Sequence, residues 1–214
     1  MIAMILAAGR GERLKPLTDS IPKALIEVRG KSLLERHLEK LRDACITDVV
    51  INLGWLGEQI VKRVGTGAAF DLNVSYSDET GNVLETGGGI HKALPLLGNA
   101  PFLVVNADIY TDMSFHGIAL QDDAMAHLVL VPTPAYRDHG DFELQDGRVR
   151  NAAAPALTFS GIAMYRPKFF ANCKPGRFSI VPLLREAADA GQLQGSLYEG
   201  RWADIGTAER LAAL

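Results

Sequence analysis

The hydrophobic positions of this chain fall into short apolar runs that alternate with segments of helical periodicity. Apolar runs at residues 2–7, 48–53 and 101–106 are typical of buried strands, and residues 72–76 predict a further strand. The segments between them predict helices at residues 32–44, 56–64 and 88–97. Because strands that are apolar along their whole length need cover on both faces, this alternation predicts a parallel sheet with helices on either side.

The helix predicted at residues 32–44 has the clearest start signal. Ser32 stands three residues before Glu35, which is the spacing of a capping box. Leu34, Leu38 and Leu41 follow at helical intervals. The pattern therefore predicts an amphipathic helix that packs one face on the sheet.

The second half of the chain has a more mixed pattern. Residues 126–131 and 157–165 predict strands, and residues 180–190 predict a helix that ends at Gly191. Two hairpins are predicted, at residues 142–149 and at residues 193–205 around Gly200. We therefore expect a doubly wound α/β fold with a mainly parallel mixed sheet and late antiparallel hairpins, in a single domain over residues 1–214.

The composition excludes several function classes. Of 214 residues, 48% are hydrophobic and 22% charged, and 22 basic and 25 acidic residues give a net charge of −3. No basic run appears, so neither nucleic acid nor an anionic membrane is an expected partner. No apolar run reaches the ~18 residues of a membrane span, and the apolar N-terminus lacks the basic residues of a signal peptide. We expect a cytoplasmic protein in which Cys45 and Cys173 are buried and reduced, and the sequence leaves the oligomeric state open.

Candidate chemistry begins in the loop after the first strand, because ligands of open α/β sheets bind beyond the carboxyl ends of the strands. Gly9 and Gly11 allow backbone N–H groups to approach a phosphate closely. The basic side chains that accompany them are Arg10, Arg13, Lys15 and Lys23.

Two other phosphate-binding motifs are incomplete in this chain. A dinucleotide-binding fingerprint requires a third glycine where Leu14 stands. A P-loop that ends at Gly30-Lys31-Ser32 requires an earlier glycine where Leu25 stands. Both motifs are therefore excluded.

The complete first loop resembles the signature of the sugar-1-phosphate nucleotidyltransferases, Gly-x-Gly-x-Arg-Leu-x-Pro-Leu-Thr followed by Pro-Lys. Residues 9–18 carry the first part of it, and Pro22-Lys23 the second. The Gly-rich segment at residues 84–89 is similar to a turn of that family, and so are residues 106–108 together with residues 202–207. The resemblance covers essentially the whole chain and implies a Rossmann-like, GT-A-like nucleotidyltransferase fold.

The resemblance also implies roles for individual residues. Lining of the nucleoside is implied for Leu6, Ala8 and Gly9, and binding of the triphosphate for Gly11 and Arg13. Lys23 is implied to reach the α-phosphate and the sugar phosphate, and the base-reading candidates are Glu85 and Gly87. The implied metal is Mg²⁺, held by Asp108 and Asp204, and the implied catalytic set is Arg13, Lys23, Asp108 and Asp204.

One segment departs from the family pattern. Many relatives carry a Glu-Lys-Pro segment that helps grip the sugar phosphate, but residues 151–155 carry no charge here. The sugar end must therefore be held by other groups. Our candidate substrate-binding residues are Asn106, Arg137, Gly140 and Ser160. Arg137 is the candidate for binding a carboxylate, and Gly140 the position at which a sugar ring would approach the backbone.

The Gly-rich segment and residues 140–142 and 158–162 most resemble family members that use UTP and N-acetylmuramate α-1-phosphate. That resemblance implies UDP-N-acetylmuramate as the product and a place in bacterial peptidoglycan recycling. The alternatives are a guanylyltransferase for mannose or heptose 1-phosphate and a cytidylyltransferase for a phosphorylated alcohol. An alternative of another class is a noncatalytic sugar-nucleotide sensor on the same fold.

The expected reaction needs no general base. A sugar phosphate has its second pKa near ~6, so its oxygen is already deprotonated at neutral pH. The histidines are accordingly expected outside the site: His37, His91, His116, His127 and His139.

Overall fold

The apolar runs of the sequence form the strands of a large central sheet. A computed structural model describes residues 1–121 and 123–214 of the chain. The strands over these residues are β1 (Ile2–Leu6), β2 (Glu27–Val28), β3 (Lys31–Ser32), β4 (Asp48–Leu53), β5 (Asn73–Asp78), β6 (Phe102–Asn106), β7 (Ile109–Thr111), β8 (Ala126–Pro132), β9 (Glu143–Gln145), β10 (Arg148–Arg150), β11 (Leu157–Tyr165), β12 (Leu193–Leu197) and β13 (Trp202–Asp204). The α-helices are α1 (Leu17–Ser20), α2 (Leu33–Asp43), α3 (Gly57–Val64), α4 (Glu85–Leu97), α5 (Val181–Asp189) and α6 (Ala208–Ala212).

The central sheet has the order β5-β4-β1-β6-β11-β8-β12-β10-β9. β5, β4, β1 and β6 run parallel to one another, and β8 runs parallel to β12. β11 is antiparallel to both β6 and β8, and β10 is antiparallel to β12 and β9. Since β10 and β11 alone oppose the common direction among the strands described, the predicted mainly parallel mixed sheet is confirmed.

Helices cover both faces of this sheet, as the fully apolar strands require. On one face, Leu34, Leu38 and Leu41 of α2 pack with Ala3 and Ile5 of β1. On the other, Met4 packs with Ile90 of α4 and Leu184 of α5. Side chains of a strand alternate between its two faces, so β1 contributes to both cores. The capping box predicted at the start of α2 is present, with Ser32 accepting from the Glu35 N–H at 3.2 Å.

The hairpin predicted at residues 193–205 is wrong. β12 pairs in parallel with β8, whereas β13 leaves the sheet and pairs antiparallel with β7. The reason is that β12 pairs with the apolar strand β8 inside the sheet. The three residues of β13 form their backbone hydrogen bonds with β7, an equally short strand far earlier in the chain. The other predicted hairpin, β9 with β10, is confirmed.

The glycine-rich segment is a helix and not a turn. The predicted helix at residues 88–97 begins earlier, at Glu85, so Gly87, Gly88 and Gly89 lie inside α4. A Cβ on Gly87 would lie 2.5 Å from the ring of Phe178. Close packing therefore requires these glycines, and it overrides their low helix propensity.

Two smaller expectations can also be compared with the structure. Cys173 is half-buried but Cys45 is exposed, so the expectation of two buried thiols is wrong for Cys45. Within residues 1–121 and 123–214, no helix is long and apolar enough to cross a membrane.

Candidate active site

Two adjoining cavities open at the carboxyl ends of the parallel strands. The first, which we call the loop cavity, measures about 220 Å³ and lies against the loop after β1. The second, which we call the arginine cavity, measures about 350 Å³ and is lined by Arg13, Arg137, Arg185 and Arg210. Asn106 and Asp108 line both cavities. A ligand in one cavity would therefore meet a ligand in the other at the end of β6.

Most of the predicted nucleotide-binding residues line the loop cavity. They are Leu6, Ala8, Gly9, Gly11, Lys23 and Glu85. Glu85 also forms an ion pair with Arg177 at 2.8 Å. Of the other two, Arg13 lines the arginine cavity, and Gly87 packs against Phe178.

Close packing and hydrogen bonds to the rest of the protein fix the shape of the loop between β1 and α1. Gly11 has a φ of +69°, and a Cβ there would lie 2.9 Å from Thr18 and 3.3 Å from Lys23. The hydroxyl of Thr18 donates to the Gly11 carbonyl at 2.9 Å, and the Trp55 indole N–H donates to the Thr18 carbonyl at 2.8 Å. Gly9, in contrast, has no atom within 4 Å of the position of a Cβ. The loop is thus fixed in shape while its first glycine faces open space.

A buried polar pair forms the base of the loop cavity, and sequence reasoning missed it. The side-chain oxygen of Asn52 accepts from the Ala7 N–H at 2.6 Å, and its amide donates to Glu79 at 2.8 Å. Glu79 also accepts from the Leu84 N–H at 2.9 Å, just before α4. The pair therefore ties the first loop to α4 across two strands. A signal was present, since Asn52 is a polar residue near the end of an apolar strand and Glu79 directly follows the next strand.

Asp108 lies where the two cavities meet. Lys23 donates to its Oδ2, and the Lys23 side chain is only 14% exposed. Asp204 pairs with Ile109 across β13 and β7, and the Ile205 N–H donates to the Asp108 carbonyl at 2.8 Å. The short sheet of β7 and β13 therefore brings the two predicted metal ligands to neighbouring positions.

Asp204 is bound by two side chains that sequence reasoning missed. Tyr136 donates to its Oδ1, and Arg210 donates to its Oδ2 at 2.6 Å. The Arg210 guanidinium lies 3.7 Å from the centre of the Tyr136 ring, in cation–π contact. Partial burial, with the Asp204 carboxylate beside the hydroxyl, raises the pKa of Tyr136 to about 12. The phenol is therefore protonated at neutral pH and acts as a hydrogen-bond donor.

The donor set here fits a hard divalent cation that arrives with a phosphate ligand. No group of three or more His, Cys, Asp or Glu side chains able to hold a metal occurs in the described part of the chain. Mg²⁺ takes one or two carboxylates and completes its shell with substrate phosphates and water. Asp108 and Asp204 supply two carboxylates, each paired with a protein cation in the structure.

The predicted sugar-binding residues divide between the arginine cavity and the protein interior. Asn106, Arg137 and Ser160 line the cavity. Arg137 is already paired with Asp141, at 3.1 and 3.4 Å. Gly140 lies outside it, and a Cβ there would lie 2.6 Å from the Thr133 hydroxyl. The glycine at position 140 is therefore explained by protein packing and does not require an approaching sugar.

Almost the whole chain matches a known family of enzymes. The family model for nucleotidyl transferases matches residues 2–214 of the chain. The chain therefore belongs to the nucleotidyl transferase family, which confirms the resemblance carried by the first loop.

Two relatives and one solved structure show which members of the family the chain is similar to. The chain is 46% identical to the N-acetylmuramate alpha-1-phosphate uridylyltransferase of Neisseria meningitidis serogroup B, over 99% of this chain and 95% of the relative. It is 36% identical to the protein of the same name from Caulobacter vibrioides, with the same coverage. Among solved structures, HddC from Yersinia pseudotuberculosis complexed with GMP-PN superimposes with a TM-score of 0.82, at 23% identity and over 99% and 96% of the two chains. The fold is thus that of the nucleotidyltransferases.

Proposed function

We propose that the protein transfers UMP from UTP to N-acetylmuramate α-1-phosphate, giving UDP-N-acetylmuramate and pyrophosphate. The observation that carries the transfer reaction is that the loop cavity and the arginine cavity meet at Asp108. The choice of UTP and of this sugar rests on similarity to the two uridylyltransferases over almost the whole chain. The product is a nucleotide sugar of the cell wall, so we infer a role in peptidoglycan recycling in the cytoplasm.

In this proposal the loop cavity takes UTP. Leu6, Ala8 and Gly9 would line the nucleoside, and Glu85 at the start of α4 would face the base. Gly87 would act indirectly, by letting α4 pack close to Phe178. Gly9 and Gly11 would present backbone N–H groups to the triphosphate, and a fixed loop makes such donors effective because they need not reorganise.

The arginine cavity takes the sugar 1-phosphate. Asn106 and Ser160 would contact the sugar, and Lys23 would lie between the phosphate of the sugar and the α-phosphate of UTP. Arg13 would balance charge on the departing pyrophosphate. Asp108 and Asp204 would hold Mg²⁺, which, when bound, neutralises phosphate charge and favours attack of one anion on another.

The chemistry is a direct displacement. An oxygen of the sugar phosphate forms a bond to the α-phosphorus of UTP, and the bond from that phosphorus to the β-phosphate oxygen breaks as pyrophosphate leaves. The nucleophile needs no base, because its second pKa near ~6 leaves it deprotonated at neutral pH. In agreement with this, no histidine lines either cavity over the residues that the structure describes. The side chains therefore act by positioning and by charge balance.

The proposal is tested by incubating the purified protein with UTP, N-acetylmuramate 1-phosphate and MgCl₂. We expect equal amounts of pyrophosphate and of a product with the mass of UDP-N-acetylmuramate. Reactions without the sugar phosphate, or with EDTA in excess, should give neither. Binding of UTP without any pyrophosphate release would contradict the proposal and support the noncatalytic sensor.

A further inference from the structure

We propose that Arg185 of α5 recognises the carboxylate of the lactyl group that distinguishes N-acetylmuramate from N-acetylglucosamine. The inference rests on the proposed function, and it replaces the expectation that Arg137 does so. The reason lies in how the four arginines of the arginine cavity are already engaged.

Two of these arginines have carboxylate partners. Arg210 binds Asp204 at 2.6 Å, and Arg137 binds Asp141 at 3.1 Å. The Asp141 carboxylate is further fixed by the Phe159 N–H, which donates to it at 2.9 Å. A second carboxylate brought to Arg137 would meet the negative charge of Asp141, so Arg137 is poorly suited to bind one.

The other two arginines, Arg13 and Arg185, form no ion pair with a carboxylate over the described residues. Arg13 lies at the end of the cavity where, in the proposed function, the phosphates would react. Its guanidinium lies 3.0 Å from the position of a Cβ on Gly206, beside Arg210. Arg185 is therefore the cation that remains for a second negative charge on the sugar.

Arg185 is half-buried, and its guanidinium is held by a hydrogen bond and by an aromatic ring. Its Nη1 donates to the Asn151 side-chain oxygen at 2.9 Å, and its guanidinium lies 4.4 Å from the centre of the Phe142 ring. Asn151 in turn donates to the Arg185 carbonyl at 2.9 Å and to Asp189 at 2.8 Å. A guanidinium has five N–H donors, so this arrangement leaves an edge that can bind a carboxylate with two parallel hydrogen bonds.

The position of Arg185 along the cavity fits the length of the sugar. Phe142, on which Arg185 stacks, pairs with Leu157 at the start of β11. Four residues further along β11, Gly161 lies against Asn106, because a Cβ there would be 2.6 Å from the Asn106 amide nitrogen. Four residues of extended strand span about 13 Å at ~3.3 Å per residue, and the distance here is shorter because the register of β11 shifts between Phe159 and Ala163. A sugar ring with its phosphate near Asn106 and Asp108 can therefore extend a carboxylate to Arg185.

The test compares Arg185→Gln with wild type by kcat/KM at saturating UTP. N-acetylmuramate 1-phosphate and N-acetylglucosamine 1-phosphate are the two acceptors. Loss of a charge-assisted contact should reduce the preference for the first about 10- to 100-fold, or about 1.4–2.7 kcal/mol. Turnover of N-acetylglucosamine 1-phosphate and the KM for UTP should change little. An unchanged preference, or an equal loss with both sugars, would overturn the assignment.

Two further arms keep the result interpretable. Arg148→Gln is the matched control, because Arg148 lies outside both cavities and binds Asp123 and the Gly191 carbonyl. The preference of this variant between the two sugars should equal that of wild type. With wild-type enzyme, N-acetylmuramate 1-phosphate whose lactyl carboxylate is a methyl ester should have a kcat/KM lower by a similar factor. This measurement does not depend on whether the variant folds. If esterification has no effect, Arg185 does not read the carboxylate. If wild type does not use N-acetylmuramate 1-phosphate at all, the proposed function itself fails.

Discussion

The side chains with which the reaction would be carried out are already paired with one another in the protein alone. Asp108 binds Lys23, and Asp204 binds Arg210 and Tyr136. These groups are partly exposed at the mouth of the cavities, with Asp108 32% and Asp204 31% exposed. Charge is thus balanced before substrates bind, and the ion pairs can exchange for contacts with phosphate and metal at modest cost.

Replacing Asp204 with Asn should remove activity while keeping the fold. We expect a loss of at least ~10²-fold in kcat at saturating Mg²⁺, because one of the two carboxylates is lost with almost no change in volume. The melting temperature should shift by only a few degrees, as for a partly exposed ion pair. Asp108→Asn should have the same effect on kcat.

Asp112→Asn is the matched control for this prediction. Asp112 accepts hydrogen bonds from the Tyr198 hydroxyl and the Arg201 N–H, but it lines neither cavity. Its activity should stay near that of wild type. If Asp204→Asn keeps more than a tenth of wild-type kcat, the metal assignment is wrong.

The pH dependence of turnover should follow the substrate and not a histidine. We expect the acid limb of kcat/KM near ~6, at the second ionisation of the sugar phosphate. Single replacements of His91, His116, His127 and His139 by Gln should leave both the rate and this limb in place. A hundredfold loss at any one of them would show that the enzyme supplies a base.

At the scale of residues, the sequence predicted the groups that lie within continuous motifs. Lys23, Asp108 and Asp204 were chosen in this way, and the structure brings them close together, while their roles stay predictions. Glu79 and Arg185 were missed because their partners are distant in sequence: Asn52 for Glu79, and Asn151 for Arg185. Their positions follow from which strands and helices are neighbours, and that depends on the tertiary fold.

At the scale of elements, the predictions agree with the structure where the local sequence pattern is strong. The predicted bounds of β4 and β11 agree with the structure, and so does the capping box of α2. Prediction was wrong for β13, whose three residues carry too little pattern to show that β7 is the partner. It was also wrong for the start of α4, where packing on Phe178 outweighs propensity. In both cases a tertiary contact decides the local structure.

Helix α2 carries a buried histidine that should make stability depend on pH. Burial lowers the pKa of His37 to about 4 from an ordinary 6.5, and its ring stacks on Phe115. The unfolded chain therefore takes up a proton below pH 6.5 that the folded chain does not take up until about pH 4. The free energy of unfolding should consequently fall by up to about 3 kcal/mol as the pH drops through this range.

Urea denaturation of wild type and His37→Leu at several pH values measures this effect. The variant should lose the part of the fall that comes from His37, because no group at position 37 titrates. His116→Gln, which replaces an exposed histidine, is the control variant. Parallel stability curves for His37→Leu and wild type would contradict the assignment.

At the scale of the whole molecule, the sheet changes character where the two cavities meet. The loop cavity lies beyond β1, β4 and β6, which are parallel, and the arginine cavity lies along β11, the antiparallel strand inserted beside β6. The rule that ligands bind beyond parallel strand ends predicted the first cavity. The second could not be predicted in this way, because it depends on the packing of α5, α6 and β13 around β11.

The most direct test of the account is a matrix of four nucleoside triphosphates against several sugar 1-phosphates, scored by the kcat/KM for pyrophosphate release with Mg²⁺. The sugars should include the 1-phosphates of N-acetylmuramate, N-acetylglucosamine, mannose and heptose. We predict that UTP with N-acetylmuramate 1-phosphate gives the highest value, and that Asp204→Asn gives almost none with any pair. A higher value for GTP with mannose or heptose 1-phosphate, or no pyrophosphate from any pair, would contradict it.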